Sequence, residues 1–308
     1  MRVVITEFMD QDAVASLAVH FDVTYDATLV DRHEELLASL ADADAVVVRN
    51  KTQVNAALLA AGPRLKVVGR LGVGLDNVDL PGCKNRGIEV IPASGANALA
   101  VAEYVIATAM LLLRGAYTST EIVSGGKWPR AALSNGREIA GKTLGVIGFG
   151  SIGRLVAKLA RGLGMAVVAF DAQIPADAAQ WREEQTMPLA FDELLRTADV
   201  VTLHVPLTPT TRGLLDATRL ALMKPDAILI NTARGGVVDE AALAAALKAG
   251  TLGGAALDVF DREPLSAGSP LMGCPNLILT PHVAGVTRES NVRVSTMIAD
   301  KVAAALDR

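Results

Sequence analysis

The sequence predicts an α/β protein built of two doubly wound parallel-sheet domains, and three observations carry that prediction. Short apolar runs of strand length alternate with helical patterns along almost the whole chain, as parallel strands with helical crossovers require. One of these runs ends in Gly148, Gly150 and Gly153, in G-x-G-x-x-G spacing, and leads straight into a helical pattern. The composition, 51% hydrophobic but only 4% aromatic, suits Ala-, Val- and Leu-rich strands covered on both faces. At 308 residues the chain is long for a single core, so two domains are expected.

In the first half the alternation runs Val3 to Thr6, then Asp12 to Leu17; Val23 to Tyr25, then Asp31 to Leu40; Ala45 to Arg49, then Val54 to Ala60; then strands Val67 to Arg70 and Ile88 to Ile91. Ligands of such sheets gather at the carboxyl ends of the strands. Arg49 and Lys51 are therefore candidate substrate contacts, as are Gly72, Val73 and Gly74 just past Arg70. Successive N–H groups in such a turn form a nest for an anion; the plainer reading of the two glycines is a tight turn. Asn77 stands where a third glycine would complete a second dinucleotide fingerprint, so none is expected there.

A long apolar helix is expected from about Ala98 to Arg114, buried on most faces. A polar, Gly-rich excursion through Trp128 and Asn135-Gly136 follows it. The nucleotide fold starts near Lys142 with a strand from Thr143 to Ile147. Gly148 permits the turn, Gly150 admits a pyrophosphate and Gly153 lets helix and strand pack closely, while the helix N-terminus offers unpaired N–H groups to phosphate. A second strand, Met165 to Phe170, ends on Asp171, near the ~20-residue distance at which a Rossmann unit places the carboxylate for the adenosine ribose. NAD is the cofactor expected, since Asp171 repels a 2′-phosphate and Ala172-Gln173 supplies no arginine for one. Beyond a connection containing Trp181, strands near Val200 to Leu203, Ala227 to Asn231, Ala255 to Leu257 and Leu277 to Leu279 continue the sheet. Helices near Phe191 to Arg196, Ala217 to Leu222 and Asp239 to Lys248 lie between them, and Thr287 to Leu306 forms a last helix.

Three polar residues follow strands of this second sheet and so fall on its ligand edge: Arg234, Glu263 and His282. Arginine can fork onto a carboxylate, histidine exchanges a proton near neutral pH, and a glutamate beside it fixes the ring's tautomer. Together they offer an anchor, an acid/base and an orienter for hydride transfer to a 2-keto acid. Singly, each has an ordinary alternative: a surface ion pair, a turn at Glu263-Pro264, a structural histidine. His204 ends a strand and is expected to border the cofactor, whereas His20 and His33 are expected in solvent.

The chain resembles the NAD-dependent D-2-hydroxyacid dehydrogenases, most closely their phosphoglycerate dehydrogenase branch. The resemblance covers nearly its whole length: Gly69 to Asp79, Gly148 to Gly153, His204 to Thr208, Asn231 to Asp239, Ala256 to Phe260, Glu263-Pro264 and Pro281 to Gly285. It implies two Rossmann/flavodoxin-like domains, residues 1–98 with 286–308 for substrate and 99–285 for NAD, with a dimerisation helix and arm at about 99–140. It also implies that Arg234 binds the substrate carboxylate, His282 is the acid/base and Glu263 its partner. Cofactor contacts are implied at Ser151, Ile152, His204, Pro206, Thr211, Thr232, Ala233, Asp258 and Gly285, and a further substrate contact at Arg130. The expected reaction moves hydride between NAD and C2 of a small D-configured 2-hydroxy acid carrying a second anionic group, of 3-phosphoglycerate or 3-sulfolactate type. Glyoxylate or hydroxypyruvate reduction is an alternative, and a non-catalytic, NAD-sensing corepressor-like protein is the alternative of another class.

Partners other than the small 2-hydroxy or 2-keto acid and a second copy in a homodimer are not expected. The net charge of −4 and the lack of a long basic run disfavour nucleic acid and anionic membranes. The most apolar segment, Ala98 to Leu113, contains Glu103 and is shorter than the ~20 residues of a bilayer span. Cys83 and Cys274 stand far apart with no C-x-x-C partner, so neither a disulfide framework nor a metal site is indicated, and the cytoplasm is the expected compartment.

Overall fold

The computed structural model describes residues 1–308, and they divide into two compact units, Met1–Asn97 with Val286–Arg308, and Ala98–Gly285. The first unit contains β1 (Arg2–Ile5), α1 (Gln11–Ala18), β2 (Asp22–Tyr25), α2 (His33–Ser39), β3 (Ala45–Val48), α3 (Ala56–Ala61), β4 (Val67–Arg70), α4 (Leu80–Asn85) and β5 (Glu89–Pro92). Its parallel sheet has the order β2-β1-β3-β4-β5, the flavodoxin-like arrangement with its switch point between β1 and β3. The last helix of the chain, α12 (Arg288–Leu306), returns to this unit. Val294, Ile298, Val302 and Leu306 recur on one face of it and are buried with Val3, Val47 and Val67, while the Thr287 hydroxyl caps its start by accepting the Ser290 N–H.

The second unit contains α5 (Ala98–Arg114), α6 (Thr120–Ser124), β6 (Thr143–Ile147), α7 (Ser151–Gly162), β7 (Ala166–Phe170), α8 (Ala179–Glu183), β8 (Met187–Pro188), α9 (Phe191–Thr197), β9 (Val200–Leu203), α10 (Ala217–Leu220), β10 (Ile228–Asn231), α11 (Glu240–Ala249), β11 (Gly254–Leu257) and β12 (Leu277–Leu279). Its all-parallel sheet has the order β12-β11-β10-β9-β6-β7-β8. The chain reverses direction across the sheet between β6 and β9, so the carboxyl end of β6 lies at the crevice where such sheets bind nucleotides.

Several local expectations change. Val54 does not begin a helix but bridges to Val78; α3 starts after Asn55, whose side chain accepts the Leu58 N–H. α4, with the sequence Leu-Pro-Gly-Cys-Lys-Asn, is not among the helices expected from the sequence. Its proline falls in the first turn, where no N–H is needed, and Asp79 caps it by accepting the Gly82 N–H. The connection after Asp171 contains α8 and the two-residue edge strand β8, with Trp181 buried against Phe149. Within the single chain α5 packs Val101, Val105, Ala109 and Leu112 with Val156, Ala157 and Ala160 of α7 and leaves Leu99, Met110 and Leu111 exposed. No single helix is long and apolar enough to cross a membrane.

Candidate active site

The turn after β6 is shaped by contacts that only glycine permits. Gly148 has φ +92°, and a Cβ on it would lie 2.4 Å from the His204 carbonyl oxygen; one on Gly153 would lie 2.2 Å from the Gly148 oxygen. Over Gly150, by contrast, a Cβ would meet nothing within 4 Å. α7 starts immediately, at Ser151 and Ile152, and its N-cap residue Gly150 gives no side-chain cap. Its first N–H groups are therefore available to an anion. Asp171 ends β7 beside this turn: its Oδ2 accepts the Phe149 N–H at 2.7 Å and its Oδ1 the Gln173 N–H at 2.8 Å. The expected ribose acceptor thus also holds the turn, with acceptor capacity remaining on both oxygens.

The other expected cofactor contacts lie on the same edge. Thr211 Oγ1 donates to the Pro206 carbonyl at 2.6 Å and accepts the Thr208 N–H at 2.8 Å, which fixes the loop after His204. His204 Nε2 lies 3.0 Å from Thr202 Oγ1. Burial of the ring pushes its pKa down to about 3, so it is neutral at physiological pH although the residue keeps some exposure. After β10, Ala233 is buried and the Thr232 hydroxyl is buried with no partner. A dinucleotide fits these features: open space over Gly150, an uncapped helix N-terminus, a carboxylate at the end of β7 and an unsatisfied hydroxyl.

The three chemical residues follow three neighbouring strands, with Asn231, Leu257 and Leu279 in register across β10, β11 and β12. The side chain of Asn231, buried behind the Arg234 turn, accepts the Ala233 N–H and donates to the Arg234 carbonyl, both at 3.0 Å. Glu263 Oε1 accepts the Phe260 N–H at 3.1 Å, and its Oε2 lies 2.8 Å from His282 Nδ1. Since a carboxylate only accepts, Nδ1 carries the hydrogen and Nε2 is left for a reacting atom. His282 adopts φ +57°, uncommon for a side-chain-bearing residue, and Asp258 secures it. The Asp258 carbonyl accepts the His282 N–H at 2.8 Å. Its carboxylate accepts from the Thr280 hydroxyl at 2.6 Å and from the Val283 and Ala284 N–H groups, each at 2.8 Å. The resemblance implies a cofactor contact at Asp258; its two oxygens are already engaged in holding the His282 loop. Gly285 closes this segment at the end of the unit.

The remaining expected substrate residues lie elsewhere. In the first unit Arg49 follows β3; its guanidinium donates to Asn291 Oδ1 at 2.8 Å and lies 5.8 Å from the centroid of the Phe8 ring. Burial lowers its pKa, opposed by the charge of Glu7. Lys51 instead points toward Asp31, at 3.9 Å with both side chains exposed. After β4 the amides of Val73 and Gly74 make no backbone hydrogen bond, and Gly72 leaves room for the Arg70 guanidinium, which a Cβ there would strike. Arg130 lies in the second unit on the segment after α6, exposed and without a side-chain partner. His20 and His33 are exposed.

Residues 106–284 match the model of the D-isomer specific 2-hydroxyacid dehydrogenase NAD-binding domain. The chain belongs to the D-2-hydroxyacid dehydrogenases. Among its relatives, the (S)-sulfolactate dehydrogenase of Chromohalobacter salexigens is 54% identical over 99% of this chain and 98% of its own. The D-3-phosphoglycerate dehydrogenase of Archaeoglobus fulgidus is 39% identical over 98% of this chain but only 56% of its own; the chain spans little more than half of that relative. A solved structure of a protein from Thermus thermophilus superposes with a TM-score of 0.89 at 36% identity, covering 100% of this chain and 97% of that one. The chain is an NAD-dependent oxidoreductase acting on D-2-hydroxy acids.

Two further polar residues, one in each unit, hold the loops that carry candidate residues. Tyr104 of α5 lies 2.7 Å from Thr280, and Thr280 bonds Asp258. Glu7, 4% exposed, accepts the N–H groups of Arg49, Lys51 and Thr52. Tyr104 belongs to no spacing motif, whereas Glu7 opens the Glu7-Phe8-Met9-Asp10 segment, whose sequence resembles that of sulfolactate dehydrogenases.

Proposed function

We propose that this dehydrogenase interconverts (S)-3-sulfolactate and 3-sulfopyruvate. The observation that carries the proposal is the state of Arg49: half-buried at a strand's carboxyl end, over an aromatic ring, with its guanidinium hydrogen-bonded to a neutral amide. A cation so placed retains its charge for an anion of the substrate. The 54% identity to an (S)-sulfolactate dehydrogenase along the full length of both chains supports sulfonate as that anion. Stereochemistry agrees, because (S)-sulfolactate has the spatial arrangement of a D-hydroxy acid at C2 and sulfur changes only the naming priority.

In this reading Arg234 holds the C1 carboxylate. In oxidation, Nε2 of neutral His282 accepts the C2 hydroxyl proton while Glu263, bonded to Nδ1–H, keeps the ring in that tautomer. In reduction, Nε2 returns a proton to the carbonyl oxygen. The Gly148–Gly153 turn and Asp171 would hold NAD, which when bound would supply the hydride acceptor or, reduced, the donor. The test is kcat/KM for 3-sulfopyruvate, 3-phosphohydroxypyruvate and oxaloacetate against pyruvate, glyoxylate and hydroxypyruvate. 3-Sulfopyruvate is expected to lead; a monoanionic keto acid in first place overturns the proposal.

The enzyme acts as a homodimer in this reading. Leu99, Met110 and Leu111 on α5, with Tyr117, Ile122, Val123 and Trp128 after it, leave an apolar surface exposed, of the kind that marks an interface. Arg130, unpartnered on the same segment, then reaches the partner's substrate. Light scattering on wild type and on Leu111→Glu should give a dimer and a monomer. The unpaired Cys83 and Cys274 fit a reducing cytoplasm, which cell fractionation tests.

A further inference from the structure

We propose that Glu7 is a positioning residue for the substrate's distal anion, holding the Arg49–Thr52 loop in the shape that presents Arg49. The proposal rests on the reading of Arg49 given above. Glu7 is almost fully buried, and a buried carboxylate ordinarily requires a cation. Here its hydrogen bonds come from three backbone amides, with the charge of Arg49 nearby. Oε1 accepts the N–H groups of Arg49 at 2.8 Å and Thr52 at 3.0 Å, and Oε2 accepts that of Lys51 at 3.1 Å. From the carbonyl side, Asn77 Nδ2 donates to Arg49 at 3.2 Å and to Thr52 at 2.7 Å. The Thr6 and Thr52 hydroxyls join at 2.8 Å. Arg49 is therefore fixed at both its N–H and its C=O before its guanidinium reaches Asn291.

A carboxylate beside an anion site is adverse on charge alone, and this separates the two roles Glu7 can have. If its charge mattered most, Glu7→Gln would tighten dianion binding. If position matters most, the same change weakens it: a glutamine oxygen can take over both bonds of Oε1, but its NH2 then faces the Lys51 N–H, donor against donor. The Lys51 amide is released and the loop loosens.

The experiment compares wild type, Glu7→Gln, Arg49→Ala and the double variant. Glu7→Gln should raise KM for 3-sulfopyruvate about tenfold, the scale of one hydrogen bond to a charged group, with kcat and the kcat/KM for glyoxylate held within about twofold. The double variant should be no worse than Arg49→Ala, because coupled residues are non-additive. Without substrate, Glu7→Gln should speed hydrogen exchange at the Arg49, Lys51 and Thr52 amides, and Asn77→Ser should reproduce the pattern if Glu7→Gln fails to fold. A lower KM for 3-sulfopyruvate, equal losses on both keto acids, additive losses or unchanged exchange overturns the proposal. A wild type that prefers glyoxylate sinks the Arg49 reading instead, and the exchange measurement still judges the loop.

Discussion

The Tyr104 hydroxyl lies 2.7 Å from the Thr280 hydroxyl, and the chain of hydrogen bonds it begins has one direction. Asp258 can only accept, so Thr280 donates to it at 2.6 Å and must itself accept from Tyr104. Burial raises the Tyr104 pKa, which keeps the phenol in its donor form. The long apolar helix thereby stiffens the carboxylate that holds His282 at φ +57°. Tyr104→Phe should cost about 1 kcal/mol of stability and lower kcat several-fold with NADH affinity unchanged. Thr280→Val, which leaves both neighbours short of a partner, should cost about 1–3 kcal/mol. Urea unfolding and steady-state kinetics check both, and equal kcat in Tyr104→Phe and wild type would remove Tyr104 from the positioning of His282.

Glu263 makes two contacts that set its expected effect. One oxygen takes the Phe260 N–H and the other faces His282 Nδ1 at 2.8 Å. In Glu263→Gln one of these positions must become an NH2 group, so either the turn or the ring loses its acceptor. kcat should fall roughly 100-fold, the lower end of what general acid–base catalysis contributes, while NADH binding measured by fluorescence is unchanged. A loss below twofold would mean that the ring is oriented by its backbone alone.

Much of this site was legible in the chain because its signals are local. The Gly148–Gly153 turn needs glycine for reasons of space at Gly148 and Gly153, and Asp239 and Thr287 announce helix starts through their own side chains. What the chain concealed is held by contacts between distant residues. Glu7 meets Thr52 and Tyr104 meets Thr280 only because strand order brings them together, and a residue's burial, not its spacing, reveals such roles. Lys51 stands at the same strand edge as Arg49, with its exposed side chain toward Asp31. α4 was hidden for a different reason, since a Pro-Gly pair opposes helix by propensity and is tolerated only in its first turn.

Cofactor preference should rest on Asp171. Its oxygens already take the Phe149 and Gln173 N–H groups, so the carboxylate is fixed and cannot swing away from a 2′-phosphate. Asp171→Ser with Ala172→Arg replaces a fixed negative charge by a cation and should move the preference toward NADP. Some kcat should be lost as well, because serine cannot reach both amides. The ratio of kcat/KM for the two cofactors checks this; a wild type equally efficient with both would show that Asp171 does not discriminate.

His204 should make the enzyme acid-sensitive. Burial lowers its pKa from 6.5 to about 3 in the folded state, whereas in the unfolded chain the ring titrates near its usual value. Between those values the unfolded state binds the extra proton, so stability is intact above about pH 6.5 and is lost as the pH falls toward 3. From pH 7 to pH 5 the loss from this ring amounts to about 2 kcal/mol at 1.36 kcal/mol per unit. His204→Asn retains a polar side chain but has no group that titrates in this range. Whatever the substitution costs at pH 8, the drop in unfolding free energy from pH 7 to pH 5 should be smaller in the variant than in wild type by about 2 kcal/mol. Urea unfolding at pH 8, 7, 6 and 5 measures that difference directly. Parallel pH profiles for the two proteins would mean that the ring takes up a proton without leaving its place beside Thr202.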